Sequence, residues 1–172
     1  MFHLVNLLNL LCMHNIFLYI WKMHKELSID HALRATWQAV AKMYNEQASK
    51  YDSTMAMAFV LLNIDKENGT PSTSLGPQMG MEPTSLSRIL KSMEEKGAIY
   101  REKNPDDGRG VLIKLTEFGL QKRKISREHV IQFNNTILEN IPEEKINHFF
   151  EVTQTINTLI NNKKIFNKKT SR

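Results

Sequence analysis

The chain has 172 residues, 41% of them hydrophobic and 24% charged, a balance that gives one ordinary folded domain with a core needing no disulfide staples. Its single cysteine, Cys12, excludes an intramolecular disulfide and a cysteine-ligated zinc site, and it suits a reducing compartment, here expected to be the cytoplasm. The net charge of +5 at pH 7 points to an acidic partner.

Leu4 to Trp21 is a mostly apolar run interrupted by Asn6, Asn9, His14 and Asn15. It lacks the basic leader and small-residue cleavage site of a secretory signal, and its polar residues weaken a membrane span, so no membrane partner is expected. Residues 1–22 are expected to be a mis-assigned start, with Met23 as initiator. The alternative is an added helix packing on a dimer surface.

Ser28 caps a helix over about 28–49, with Ile29, Leu33, Thr36, Val40 and Met43 recurring along it. A second runs from 54 to about 66 and stops at Asn68-Gly69. A short helix over 72–79 and the Gly80 turn lead into a stronger one from Pro83 to Lys96. Ala98–Arg101 and Val111–Leu115 read as strands around the turn residues Asn104 to Gly108. Thr116 caps a helix to about Asn140, and Pro142 opens the last, whose stripe is Ile146, Phe149, Phe150, Ile156 and Ile160. The fold class is mainly α with a small β-hairpin wing: a winged helix-turn-helix of residues 23–162 plus helical dimerisation segments at about 28–49 and 117–161.

Charge is unevenly placed. Leu86 to Arg127 holds eleven Lys/Arg against six Asp/Glu, and the tail from Lys163 to Arg172 holds five cations and no acid. The remainder is acidic, an arrangement that suits one face turned to a polyanion. In the Pro83 helix, Leu86, Ile89, Leu90 and Met93 fall at i, i+3, i+4 and i+7 and form an apolar back. At 100° per residue, Thr84, Arg88 and Lys91 fall opposite, flanked by Ser85 and Ser87. Short hydroxyls and long cations near a helix N-terminus are what a major-groove reader needs, although an ordinary solvated face has the same look. The helix-turn-helix (about 72–97) and the hairpin in the place of a wing (about 98–116) favour the reader. Arg109 at the wing tip would reach an adjacent minor groove, with Asp107 directing it.

These residues resemble a known family. The run Leu75-Gly76-Pro77-Gln78-Met79-Gly80-Met81-Glu82-Pro83-Thr84-Ser85-Leu86-Ser87-Arg88, then Glu94-Glu95-Lys96-Gly97, Asp107-Gly108-Arg109 and Leu115-Thr116-Glu117-Phe118-Gly119, is similar to the MarR family of bacterial regulators. The resemblance covers nearly everything from Ser28 to about Asn161. It implies a homodimer interlocked through the first and last two helices, double-stranded DNA as partner, and effectors bound between the dimer helices and the DNA lobe. It places Pro83, Thr84, Ser85, Ser87 and Arg88 at bases and nearby phosphates, with Lys91 and Lys103 as further cations and Asp107 with Arg109 as the wing pair. Two features depart from it. Gly76 and Pro77 are poor helix formers, so the first helix of the motif is expected to be short or bent. Glu82 sets a negative charge at the N-cap near the DNA.

No HExxH, GxGxxG, GxxxxGK or GxSxG motif occurs and the histidines are scattered, so no enzyme, metal or cofactor is expected. Trp37, Tyr44, Met55 and Phe59, with Met43 and Met57, are candidates to line a pocket for a small apolar or aromatic ligand, or else they are core. The competing function is a winged-helix module that binds protein without specific DNA recognition.

Overall fold

The structure, a computed structural model, describes residues 28–105 and 110–166. The readings of Cys12, of residues 1–22 with Met23, of Asp107 and Arg109, and of the tail beyond Phe166 lie outside the described residues.

Helix α1, Ile29–Ser49, starts from an extended Ser28, whose hydroxyl binds the Asp30 carboxylate rather than a helix amide. The chain then turns through Asp52, at φ 53, and Thr54 caps α2, Met55–Asn63, by accepting from Met57 N at 3.2 Å. Asn45 Oδ1 accepts from Met55 N at 3.0 Å and fixes the start of α2 against α1.

Helix α2 ends at Asn63, short of the expected residue 66. Ile64 is already extended, and Asp65 turns the chain by accepting from Glu67 N at 2.9 Å and Asn68 N at 2.7 Å. This local carboxylate–amide pairing competes with helix continuation. It leads into β1, Thr70–Pro71, a strand that sequence periodicity could not reveal because it is two residues long.

Helix α3 spans Ser72–Met79 and α4 spans Pro83–Glu95. The wing strands are β2, Ile99–Lys103, which starts one residue later and ends two residues later than expected, and β3, Val111–Leu115. They pair antiparallel with Ile99 opposite Leu115 and Lys103 opposite Val111, and β1 adds to the far side of β3 with Thr70 opposite Ile113. The sheet order is β1-β3-β2. Pro71, with no N–H to donate, therefore sits on an edge, where it costs little.

One core joins these pieces: Val60, Leu61 and Ile64 beside Leu75, Leu86, Leu90, Met93, Ala98, Ile99 and Ile113. Each large side chain buried there is worth about 1.5–3 kcal/mol. The last helices are α5, Glu117–Asn140, and α6, Glu143–Asn161. Neither α1 nor α6 has a buried residue, and Trp37, Phe149 and Phe150 are 53%, 54% and 60% exposed.

Candidate nucleic-acid interface

The surface in question is built on the turn between α3 and α4. Gly80 ends α3 at φ 61 with nothing within 4 Å of a Cβ placed on it, so the demand is for a left-handed backbone and not for space. Gly76 has the opposite reason. A Cβ there would lie 3.2 Å from the Met81 carbonyl oxygen, while its own carbonyl accepts from Met81 N at 2.9 Å. The residue that looked like a weak helix former lets the turn fold back closely. Helix α3 keeps eight residues with Pro77 inside it.

Pro83 occupies the first turn of α4, where its missing N–H has no helical partner to lose. Leu86, Leu90 and Met93 are buried at 5%, 2% and 2% exposure, and Ile89 packs against the same core. With that back fixed, helical geometry turns Pro83, Thr84, Ser85, Ser87, Arg88 and Lys91 outward, and all six are exposed. Lys91 Nζ lies 3.9 Å from Glu95 Oε1 in an exposed pair, which holds the lysine by no more than about 1 kcal/mol.

Arg101 Nε donates to Glu94 Oε2 at 3.0 Å, tying β2 to the end of α4. Lys103, exposed, closes the paired part of β2. Beyond it, Asn104 N donates to Gly110 O at 3.0 Å and closes the base of the wing loop. The stem of the wing is therefore set beside α4, and the tip carrying Asp107 and Arg109 belongs to the undescribed residues.

The base of the wing is clasped to α5. Thr116 Oγ1 donates to Gly97 O at 2.6 Å and accepts from Gly119 N at 3.0 Å, while Thr116 N donates to Ala98 O at 3.2 Å. Gly119 is buried against that carbonyl, which a Cβ would strike.

The basic middle of the sequence is less available than its cation count implied. Lys96 donates to the carbonyl and carboxylate of Asp52, and that bond, with the charge of Lys122 adding to it, holds the Asp52 carboxyl below its ordinary range. Lys114 pairs with Glu102 at 3.0 Å. Lys122 donates to Tyr51 O at 3.2 Å and lies 5.0 Å from the Phe118 ring centroid. Arg123 donates to Leu62 O at 3.2 Å, and its Nε is buried without a partner among the described residues. With Arg101, these cations hold the domain together. Their partners lie 12 to 71 positions away except for Glu94, so no local sequence signal could have separated them from cations free to face a polyanion. Glu94, seven residues before Arg101, was within reach of an argument from the short α4–β2 turn.

Tyr44, Met55 and Phe59 come together around a cavity of about 40 Å³ between α1, α2 and α5, which Tyr51, Lys122 and His129 also line. That volume is far below the roughly 300–1,000 Å³ of an ordinary small-molecule pocket. Tyr44 packs edge-on to Phe59 at 6.5 Å and against Phe133 at 5.6 Å, and burial pushes its hydroxyl pKa up. Trp37 stands apart from the cavity on the exposed face of α1. Met57 packs on the core. Among the described residues no cluster of His, Cys, Asp and Glu is placed to hold a metal ion, and no helix is long and apolar enough to cross a membrane.

Residues 54–111 match the model of the MarR family. The HTH-type transcriptional regulator SarZ of Staphylococcus haemolyticus is 32% identical over 88 residues, which are 51% of this chain and 60% of that protein. The match thus spans less than two thirds of that relative. Two solved structures share the fold. The S. aureus MepR–DNA complex has a TM-score of 0.71 at 18% identity, covering 78% of this chain and 100% of that one. CouR from Rhodococcus jostii, bound to p-coumaroyl-CoA, has a TM-score of 0.67 at 23% identity, covering 76% of this chain and 92% of that one.

Proposed function

We propose that this chain, whose residues 54–111 match the model of the MarR family, is a sequence-specific DNA-binding transcription regulator that acts as a homodimer in the cytoplasm. The observation that carries the proposal is the outward front of α4, Pro83 to Lys91, set beside the stem of a wing on a rigid core. In this reading Thr84, Ser85, Ser87 and Arg88 meet base edges and nearby phosphates in the major groove, and Lys91 and Lys103 hold phosphates. Arg109, directed by Asp107, enters the neighbouring minor groove. The MepR–DNA neighbour supports this use of the fold.

Dimerisation is supported by α1 and α6, which bury nothing of their own and expose Ile29, Trp37, Phe149, Phe150 and Val152. An interface of the obligate class, above roughly 2,000 Å², would cover them. Two-fold symmetry then calls for an imperfect palindrome with half-sites about 10 bp apart. A small apolar or aromatic effector is proposed at the Tyr44–Met55–Phe59 cavity, between the dimer helices and the DNA lobe. Because the cavity holds about 40 Å³, an effector must open it, and the opening would move α2 against α5.

Binding curves on a selected operator and on random DNA test the proposal. Arg88→Ala should lose about 1–3 kcal/mol on the operator and relax preference at one position per half-site. Arg109→Ala should weaken binding on all sequences, and Asp107→Ala should copy that loss more mildly. If both arginine variants bind like the parent, the DNA-facing assignment fails. A chain with no salt-dependent DNA affinity is instead a protein-binding winged helix.

A further inference from the structure

Three carboxylates stand on or beside α4, and two of them have a cation within reach: Glu94 pairs with Arg101 at 3.0 Å, and Glu95 lies 3.9 Å from Lys91 in a weak exposed pair. The Glu82 backbone carbonyl accepts from Leu86 N at 3.1 Å, but its carboxylate has no capping bond and no ion pair among the described residues. Glu82 occupies the N-cap position with an extended backbone, φ −66 and ψ 143. The residue is exposed. Arg101, which lines the same open groove with Thr73 and Ser87, is turned to Glu94. Pro83 already presets the first helical φ, so the start of α4 has a backbone device that does not involve the Glu82 carboxylate.

A bare carboxylate at the entry of a DNA-facing helix weakens contact with every phosphate backbone alike. Only a hydrogen-bond donor on a base edge offsets that loss. In the major groove cytosine presents its N4 amino group, flanked by C5–H, while the N6 amino group of adenine sits beside the N7 lone pair, which repels a carboxylate. We propose that Glu82 is a specificity-determining residue whose carboxylate accepts from the N4 amino group of one cytosine per half-site, at a position separate from that of Arg88. The inference rests on the DNA-binding function proposed above and adds a base identity to it. Glu82 lowers affinity for DNA in general and spares only sequences that present cytosine there.

The test is selection of binding sites from random duplex DNA with the full chain, its Glu82→Gln and Glu82→Ala variants, and Arg88→Ala. The parent should enrich C·G at one symmetry-related position. Glu82→Gln should lose that preference and gain adenine, which offers an amide the N6/N7 pair. Glu82→Ala should bind all four bases there within about twofold. Replacing the cytosine in the operator should cost the parent about tenfold and either variant less than about twofold. Both variants should bind random DNA more tightly than the parent. A Glu82→Gln selection identical to the parent's overturns the inference, as does a variant whose melting temperature falls while its base preference stays, because that is the mark of a cap alone. If the parent enriches no site, the DNA-binding function itself fails. If Arg88→Ala alters the selected site and Glu82→Gln does not, only the role of Glu82 is lost.

Discussion

Replacing Gly119 by alanine should be among the most damaging one-carbon changes in the molecule. A Cβ at this position strikes the Ala98 carbonyl oxygen, stands 3.0 Å from its carbon and 3.4 Å from Leu115 Cδ2. The obstacle is backbone at the root of β2, so no side-chain rotation relieves it. The first turn of α5 must back away from the wing, and it is anchored there by Thr116 N on Ala98 O at 3.2 Å. Overpacking of this kind costs about 1–3 kcal/mol, and weakening that hydrogen bond adds about 1 kcal/mol. The sum, about 2–4 kcal/mol, is a large part of the stability of an ordinary domain. It should lower the melting temperature by roughly 5–15 °C for a chain of this size. Thermal unfolding followed by circular dichroism at one fixed protein concentration measures it, since a dimer's melting point moves with concentration. Gly80→Ala is the comparison: space is open there, and the left-handed φ of 61 costs about 1–2 kcal/mol, partly offset by the stiffer unfolded chain. If Gly119→Ala melts within about 2 °C of the parent, the close approach of α5 to the wing is not what holds the two together.

Met93→Ala, at a side chain 2% exposed between α4 and the sheet, should cost about 2–5 kcal/mol in denaturant unfolding while leaving the exposed front of α4 unchanged in composition. Phe149→Glu combined with Phe150→Glu should yield a monomer by light scattering at micromolar concentration; a persistent dimer would place the interface elsewhere. Lys96→Met should return the Asp52 carboxyl upward to the ordinary carboxylate range in an NMR titration, since the Lys96 bond is the first cause of its depression. A depressed folded-state pKa stabilises above the unfolded value near 3.9 and ceases to do so as pH falls through the folded value. The parent's contribution from Asp52 should therefore vanish only in acid, and the variant should keep no more than the smaller part that the Lys122 charge supplies.

The order of elements was legible in the sequence because each relies on local chemistry. Thr116 and Pro142 mark helix starts, Gly80 and Gly97 mark stops, and the spacing of Leu86, Leu90 and Met93 assigns α4 its inner face, so the outer face carrying Thr84, Ser87 and Arg88 follows from 100° per residue alone. Tertiary structure decided what local pattern cannot encode. The β1 strand exists because β3 offers an edge to pair with; two residues have no periodicity of their own. Lys96, Lys114, Lys122 and Arg123 looked like part of a basic face, and only long-range folding assigned them to Asp52, Glu102, Tyr51 and Leu62. Gly76 looked like a helix weakness and Gly119 was only the end of a motif, and the approach of the Met81 and Ala98 carbonyls made both necessities. Propensity and periodicity act within a turn or two of helix, whereas charge pairing and close packing join residues tens of positions apart, so the first can be read along the chain and the second only once it has folded.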